Sequence, residues 1–150
     1  MSDLSDLYQE LIIDHNRAPR NRGKLEDCDF QARGYNPRCG DQVTVYLKVR
    51  GNVVTDVTFD GSGCAISTAS ASLMTESVKG KTVAEVKSLF QLFRGLLTGE
   101  NGDPGDRPSL GKLEVFSGVC KYPARVKCAT LAWHTVNAAM EKDNHVVSTE

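Results

Sequence analysis

The sequence predicts an α+β fold: a small three-stranded antiparallel sheet covered on one face by helices. Two patterns predict it. Val43, Val45, Leu47 and Val49 alternate with Thr44, Tyr46 and Lys48, and a second β-branched run, Val53 to Phe59, follows Arg50-Gly51-Asn52, a natural hairpin turn. On both sides of this region apolar residues instead recur at helical spacing. A sheet of so few strands has an apolar face to cover, and helices must supply the cover.

In chain order, Leu4, Leu7, Tyr8, Leu11 and Ile12 mark a short amphipathic helix. It is expected to stop before Asn16-Arg17-Ala18-Pro19, because proline disfavours helical geometry in the residue before it. A weaker strand is expected over Phe30 to Gly34, ahead of the hairpin. After Gly61-Ser62-Gly63 and Cys64, an Ala- and Ser-rich stretch to Val78 reads as a buried helix whose small side chains permit close packing on the sheet. Thr82-Val83-Ala84-Glu85 fits a capping box, with Val83, Val86, Leu89, Phe90 and Phe93 on one face of a helix running to about Leu97. Thr98 to Ser109, rich in Gly, Asp and Pro, is expected to be an exposed loop of inserted character, and Leu110 to Phe116 a short helix. Pro123 suits the first turn of a last helix that turns Val126, Ala129, Thr130, Trp133, Val136 and Met140 inward. Asn144 to Glu150 are expected to be loose.

Length and composition narrow the function. A chain of 150 residues, 40% hydrophobic, can bury one core, so residues 1–150 are expected to form a single domain. Lys and Arg total 18 against 19 acidic residues, which leaves no positive excess for nonspecific nucleic-acid binding. No apolar run is long enough to span a bilayer, and Met1-Ser2-Asp3-Leu4 carries neither a basic patch nor a signal core; a cytoplasmic protein is expected. Five cysteines are an odd number in a chain large enough to fold without staples, so metal or sulfur chemistry comes before disulfides.

Three cysteines and one aspartate stand where chemistry is plausible. Gly40, between Cys39 and Asp41 in an interstrand loop, frees the backbone so that a thiolate and a carboxylate can turn toward one point. Cys64, after two glycines at a strand-to-helix junction, should lie beside backbone N–H groups and the positive end of a helix dipole. Cys128 falls in the second turn of the last helix, one turn after Arg125, which could steady a thiolate or persulfide. Cys39, Asp41, Cys64 and Cys128 would satisfy a tetrahedral zinc ion or hold iron and sulfide. Equally, free cysteines are commonly small buried hydrophobes, and an aspartate after glycine is commonly a turn residue. Cys28 is read as structural or incidental, Cys120 as an auxiliary thiol, and His15 and His134 as surface or packing residues.

These segments resemble the IscU/NifU N-terminal family of iron–sulfur scaffold proteins. The resemblance rests on Tyr8 to His15, Asn36-Pro37-Arg38-Cys39-Gly40-Asp41, Gly61-Ser62-Gly63-Cys64-Ala65-Ile66-Ser67 and Lys127-Cys128-Ala129, and it covers nearly the whole chain. Within the family the sequence resembles the SufU branch, with its inserted segment about 99–118 and Tyr122-Pro123-Ala124-Arg125-Val126-Lys127-Cys128. Lys127 stands where the IscU branch has a histidine, and the IscU chaperone motif Leu-Pro-Pro-Val-Lys is missing. The resemblance implies zinc held by Cys39, Asp41, Cys64 and Cys128, with Cys39 accepting persulfide sulfur from a cysteine desulfurase of SufS type. Downstream Suf assembly proteins or apo iron–sulfur proteins would receive the product. The alternative it implies is a scaffold that builds a transient iron–sulfur cluster on the same four residues. A zinc module that only holds the fold is a third reading. A zinc hydrolase is disfavoured, because the ligand set fills all four positions and no histidine or glutamate base stands in these motifs.

Overall fold

The architecture grows from one hairpin. Strands β2 (Asp41–Arg50) and β3 (Val53–Ser62) pair antiparallel around Gly51 and Asn52, which both hold positive φ, 57° and 65°. This is the primed turn whose twist matches that of paired strands. The computed structural model that shows it describes residues 3–37, 40–98, 112–116, 123–141 and 147–148. Strand β1 (Phe30–Asn36) lies antiparallel along β2, with Ala32 opposite Val45, Gly34 opposite Val43 and Asn36 opposite Asp41. β1 therefore runs two residues beyond its expected end at Gly34.

One face of this sheet is apolar. Ala32, Val43, Val45, Leu47, Val57 and Phe59 are all buried on it. Val54 is buried as well, although an even position should face the other way from Val57. A register shift solves this: Val49 pairs with Val54 but Lys48 with Asp56, so Thr55 is an extra residue that flips the inward parity.

The three antiparallel strands agree with the expectation, and a fourth short strand adds to them. β4 (Val147–Ser148) pairs in parallel with Gly34 and Tyr35 on the free edge of β1, giving the order β3-β2-β1-β4. The tail was expected to be loose, and at these two residues it is not. Two residues show no periodicity, and their partner lies far upstream, so no local signal announces the pairing.

Four helices stack on the apolar face in two tiers. Helices α2 (Ala65–Val78) and α4 (Pro123–Met140) pack on the sheet, α2 against β3 and α4 against β1 and β2. Helix α1 (Asp3–Arg17) packs on α2, and α3 (Val83–Thr98) on α4. The capping box of α3 forms as expected: Glu85 N donates to Thr82 Oγ1 (3.1 Å) and Thr82 N to Glu85 Oε1 (2.9 Å). Helix α1 runs past its expected end, Ala18 N still donating to Asp14 O before Pro19. Residues 112–116 form a helical turn that packs Phe116 edge-on against Phe93. Most of the loop expected over Thr98 to Ser109 lies outside the described residues.

Helix α4 is buried on more than one face. Cys128 to Trp133 are six consecutive buried residues, because the sheet, α2 and α3 surround that part of the helix. The sheet admits it closely at Gly34, where a β-carbon would collide with Thr135 Oγ1 and lie 3.0 Å from Leu131 Cδ1. Gly34→Ala is expected to cost about 1–3 kcal/mol, the usual penalty of overpacking a core. Urea denaturation checks this, and an unchanged midpoint would show that α4 can back away.

His15 ties α1 to α2 from a buried position, 1% exposed, as the packing alternative anticipated. Its Nδ1 lies 2.7 Å from Ser72 Oγ, which also accepts from Arg20 N (2.8 Å). Burial holds the His15 pKa below its usual value of 6.5, with Arg20 adding to the effect and Glu76 opposing it. His134, packed edge-on against Phe90, is lowered the same way by burial and by Arg94. Both are neutral histidines that the unfolded chain protonates more readily, so stability falls as pH drops below about 6.5 toward the folded values. Thermal melts of the metal-free chain should show this slope, and His15→Gln should flatten it; an equal slope in the variant would sink the assignment.

Candidate metal centre

Three of the four sequence-selected residues meet at one end of the sheet. Asp41 is the first residue of β2 and fully buried, opposite Asn36 in the ladder instead of in a turn. Cys64 is the N-cap of α2, extended at φ −70° and ψ 170°, and its Sγ accepts from Ser67 N at 3.4 Å. Cys128 comes from the second turn of α4 and is 2% exposed. One carboxylate oxygen of Asp41 and the sulfurs of Cys64 and Cys128 all lie within 4.8 Å of one another.

The carboxylate is held from several sides. Its Oδ1 accepts from Cys64 N (2.8 Å), and its Oδ2 lies 3.8 Å from Cys64 Sγ and 3.4 Å from Asn36 Nδ2. Asn36 Nδ2 also reaches Cys128 Sγ at 3.6 Å. Asn36 has no exposed surface, and sequence reading gave it no separate role. The available signal was register: with β1 carried to Asn36, a short connection pairs it directly with Asp41.

The donor set fits a cation. Oxygen and sulfur ligands around tetrahedral zinc stand about 3.5–3.8 Å apart, given Zn–S near 2.3 Å and Zn–O near 2.0 Å. The Cys64 Sγ–Asp41 Oδ2 pair, at 3.8 Å, is already close to that, and the remaining separations are at most 4.8 Å. Cys64 is exposed while Asp41 and Cys128 are buried, so the group opens to solvent on the Cys64 side.

Cys39 and Cys120 lie outside the described residues; Cys39 follows Pro37 and Arg38 in the connection that Gly40 N closes on Asn36 O (2.9 Å). Arg125 is exposed in the first turn of α4. Cys28 is half-buried before β1, its thiol 3.9 Å from Gln31 Oε1, and takes no part in the cluster.

The model of the NifU-like N-terminal domain matches residues 7–129. The chain belongs to this family. It is 40% identical to a zinc-dependent sulfurtransferase SufU of Bacillus subtilis, over 95% of each chain. It is 44% identical to an iron–sulfur cluster assembly scaffold protein IscU of Thermotoga maritima, over 91% of this chain and 94% of that one. The fold matches the crystal structure of a putative iron–sulfur cluster assembly scaffold protein for the SUF system from Fervidobacterium islandicum AW-1. That match has a TM-score of 0.80 at 37% identity, over 87% of this chain and 94% of the other.

Gly63 leaves room for the carboxylate. A β-carbon there would fall 2.8 Å from Asp41 Oδ1, the oxygen that receives Cys64 N–H. Gly63→Ala is therefore expected to cost about 1–3 kcal/mol, although Gly63 is exposed and ordinary surface changes stay within about 0.5 kcal/mol. Urea denaturation decides, and a cost in the surface range would mean that the Asp41 carboxylate is not locked in place.

Proposed function

We propose that this chain serves iron–sulfur cluster assembly by holding zinc through Cys39, Asp41, Cys64 and Cys128 and accepting persulfide sulfur on Cys39. The donor is a cysteine desulfurase of SufS type. The observation that carries this reading is the convergence of one oxygen and two sulfurs from three separate elements, with a further cysteine two residues from the oxygen ligand. The SufU name of the Bacillus relative supports it. Bound zinc would keep its sulfur ligands deprotonated at neutral pH.

In the transfer, the Cys39 thiolate attacks the outer sulfur of the desulfurase persulfide. A sulfur–sulfur bond forms to Cys39 as the one in the desulfurase breaks, and the electron pair leaves on the desulfurase cysteine as a thiolate; no outside oxidant or reductant is consumed. Cys128, buried in α4, suits an anchor and not an acceptor. The Arg125 guanidinium, one turn earlier, would pair with the new anionic persulfide. Suf assembly proteins or apo iron–sulfur proteins then take the sulfur onward. This reading treats residues 1–150 as one domain, with the inserted segment at 99–118, working in the reducing cytoplasm where thiols persist.

The IscU name of the Thermotoga relative favours a second reading, a scaffold that assembles a labile cluster on the same residues. The described helices do not bear on this choice; none is long and apolar enough to cross a membrane.

Cys39→Ala should abolish persulfide uptake when the chain is incubated with a desulfurase and cysteine, and should leave desulfurase turnover unstimulated. Uptake by the variant at the wild-type level would remove Cys39 from this role. Zinc without acid-labile sulfide in the anaerobically purified wild type supports transfer, whereas iron with matching sulfide makes scaffolding the activity.

A further inference from the structure

Among the described residues, Asn36 touches two members of the centre, Asp41 and Cys128, without belonging to the ligand set. Its backbone carbonyl closes the connection carrying Cys39, through Gly40 N at 2.9 Å. Its side-chain amide reaches Asp41 Oδ2 on β2 (3.4 Å) and Cys128 Sγ on α4 (3.6 Å). An asparagine amide has two N–H groups, one for each of these acceptors. Rotating the amide by half a turn would press its oxygen against a carboxylate and a sulfur, so the donor orientation is the one the surroundings allow.

The other half of the side chain shows that packing is not its purpose. Asn36 Oδ1 is buried and has no hydrogen-bond partner among the described residues. A residue needed only to fill this space would be apolar, since a buried amide oxygen without a donor is unfavourable. What asparagine supplies here, and an aliphatic side chain could not, is the pair of donors facing two candidate ligands.

We propose that Asn36 is the positioning residue of the metal centre, its amide bracketing Asp41 and Cys128 so that one oxygen and one sulfur ligand keep a fixed separation. This rests on the ligand reading above and extends it to a residue outside the ligand set. Asp41 is then fixed at both oxygens, Oδ1 by Cys64 N–H and Oδ2 by Asn36, which stops the carboxylate from rotating and leaves Oδ2 a lone pair for the cation. Groups that orient ligands in this way typically change metal affinity about 10–100-fold when removed.

The test compares wild type, Asn36→Leu and Asn36→Ser as full-length chains. Each is stripped of metal, then titrated with zinc against a chromophoric chelator and, separately, with cobalt(II) to read the visible ligand-field and thiolate charge-transfer bands. Asn36→Leu should bind zinc about 10–100-fold more weakly and show shifted cobalt bands, while its metal-free melting temperature holds or rises. Asn36→Ser, which keeps one small donor, controls for misfolding of the leucine variant and should also weaken zinc and shift the bands. Wild-type affinity and cobalt spectra in a folded variant would overturn the positioning role, even if stability changed. A wild type that binds neither metal would overturn the ligand reading itself, and this inference with it.

Discussion

The centre depends on how closely α4 can approach β1. Gly34 has no side chain on the covered face, and Leu131 and Thr135 occupy the space a β-carbon would take. Asn36, two residues further along the strand, points to the same side and meets Cys128, which lies one and two helical turns before Leu131 and Thr135. Strand and helix therefore run in opposite senses, and the contact at Gly34 sets the distance at which Cys128 faces Asn36 and Asp41. A larger residue at the glycine would move the sulfur ligand as well as the core.

The centre then grades from interior to surface. Cys128 and Asp41 are buried in the packing of α4 and β2, whereas Cys64 opens to solvent at the start of α2. A buried carboxylate needs hydrogen bonds or a cation. Here it has the Cys64 N–H, from the residue that also supplies a sulfur, and the Asn36 amide, from the end of β1. Gly63, whose missing side chain leaves room for Asp41 Oδ1, is what lets the α2 cap close over the carboxylate.

Much of this was legible in the sequence, and what was missed has specific causes. The alternation over β2, the Gly51-Asn52 turn and the Thr82–Glu85 capping box are local signals, and each formed as read. The bulge at Thr55 was missed because it shows only as a change of inward parity between Val54 and Val57, which needs the pairing to be known. The burial of α4 on more than one face was missed because periodicity reports one preferred face and cannot count a helix's neighbours. A strand ending at Gly34 leaves Asp41 in a loop and Asn36 without a partner; pairing carried to Asn36 puts both in the ladder.

The sequence by itself determined the α+β class, the strand and helix order, and which cysteines and aspartate were worth following, because backbone preference, turn chemistry and motif spacing are written in neighbouring residues. Only the tertiary structure decided that Asp41, Cys64 and Cys128 converge, that Asn36 stands between two of them, and that Val147–Ser148 adds to the sheet edge. Those are contacts between residues distant in the chain. They are fixed by register and by the close approaches at Gly34 and Gly63, none of which a local pattern encodes.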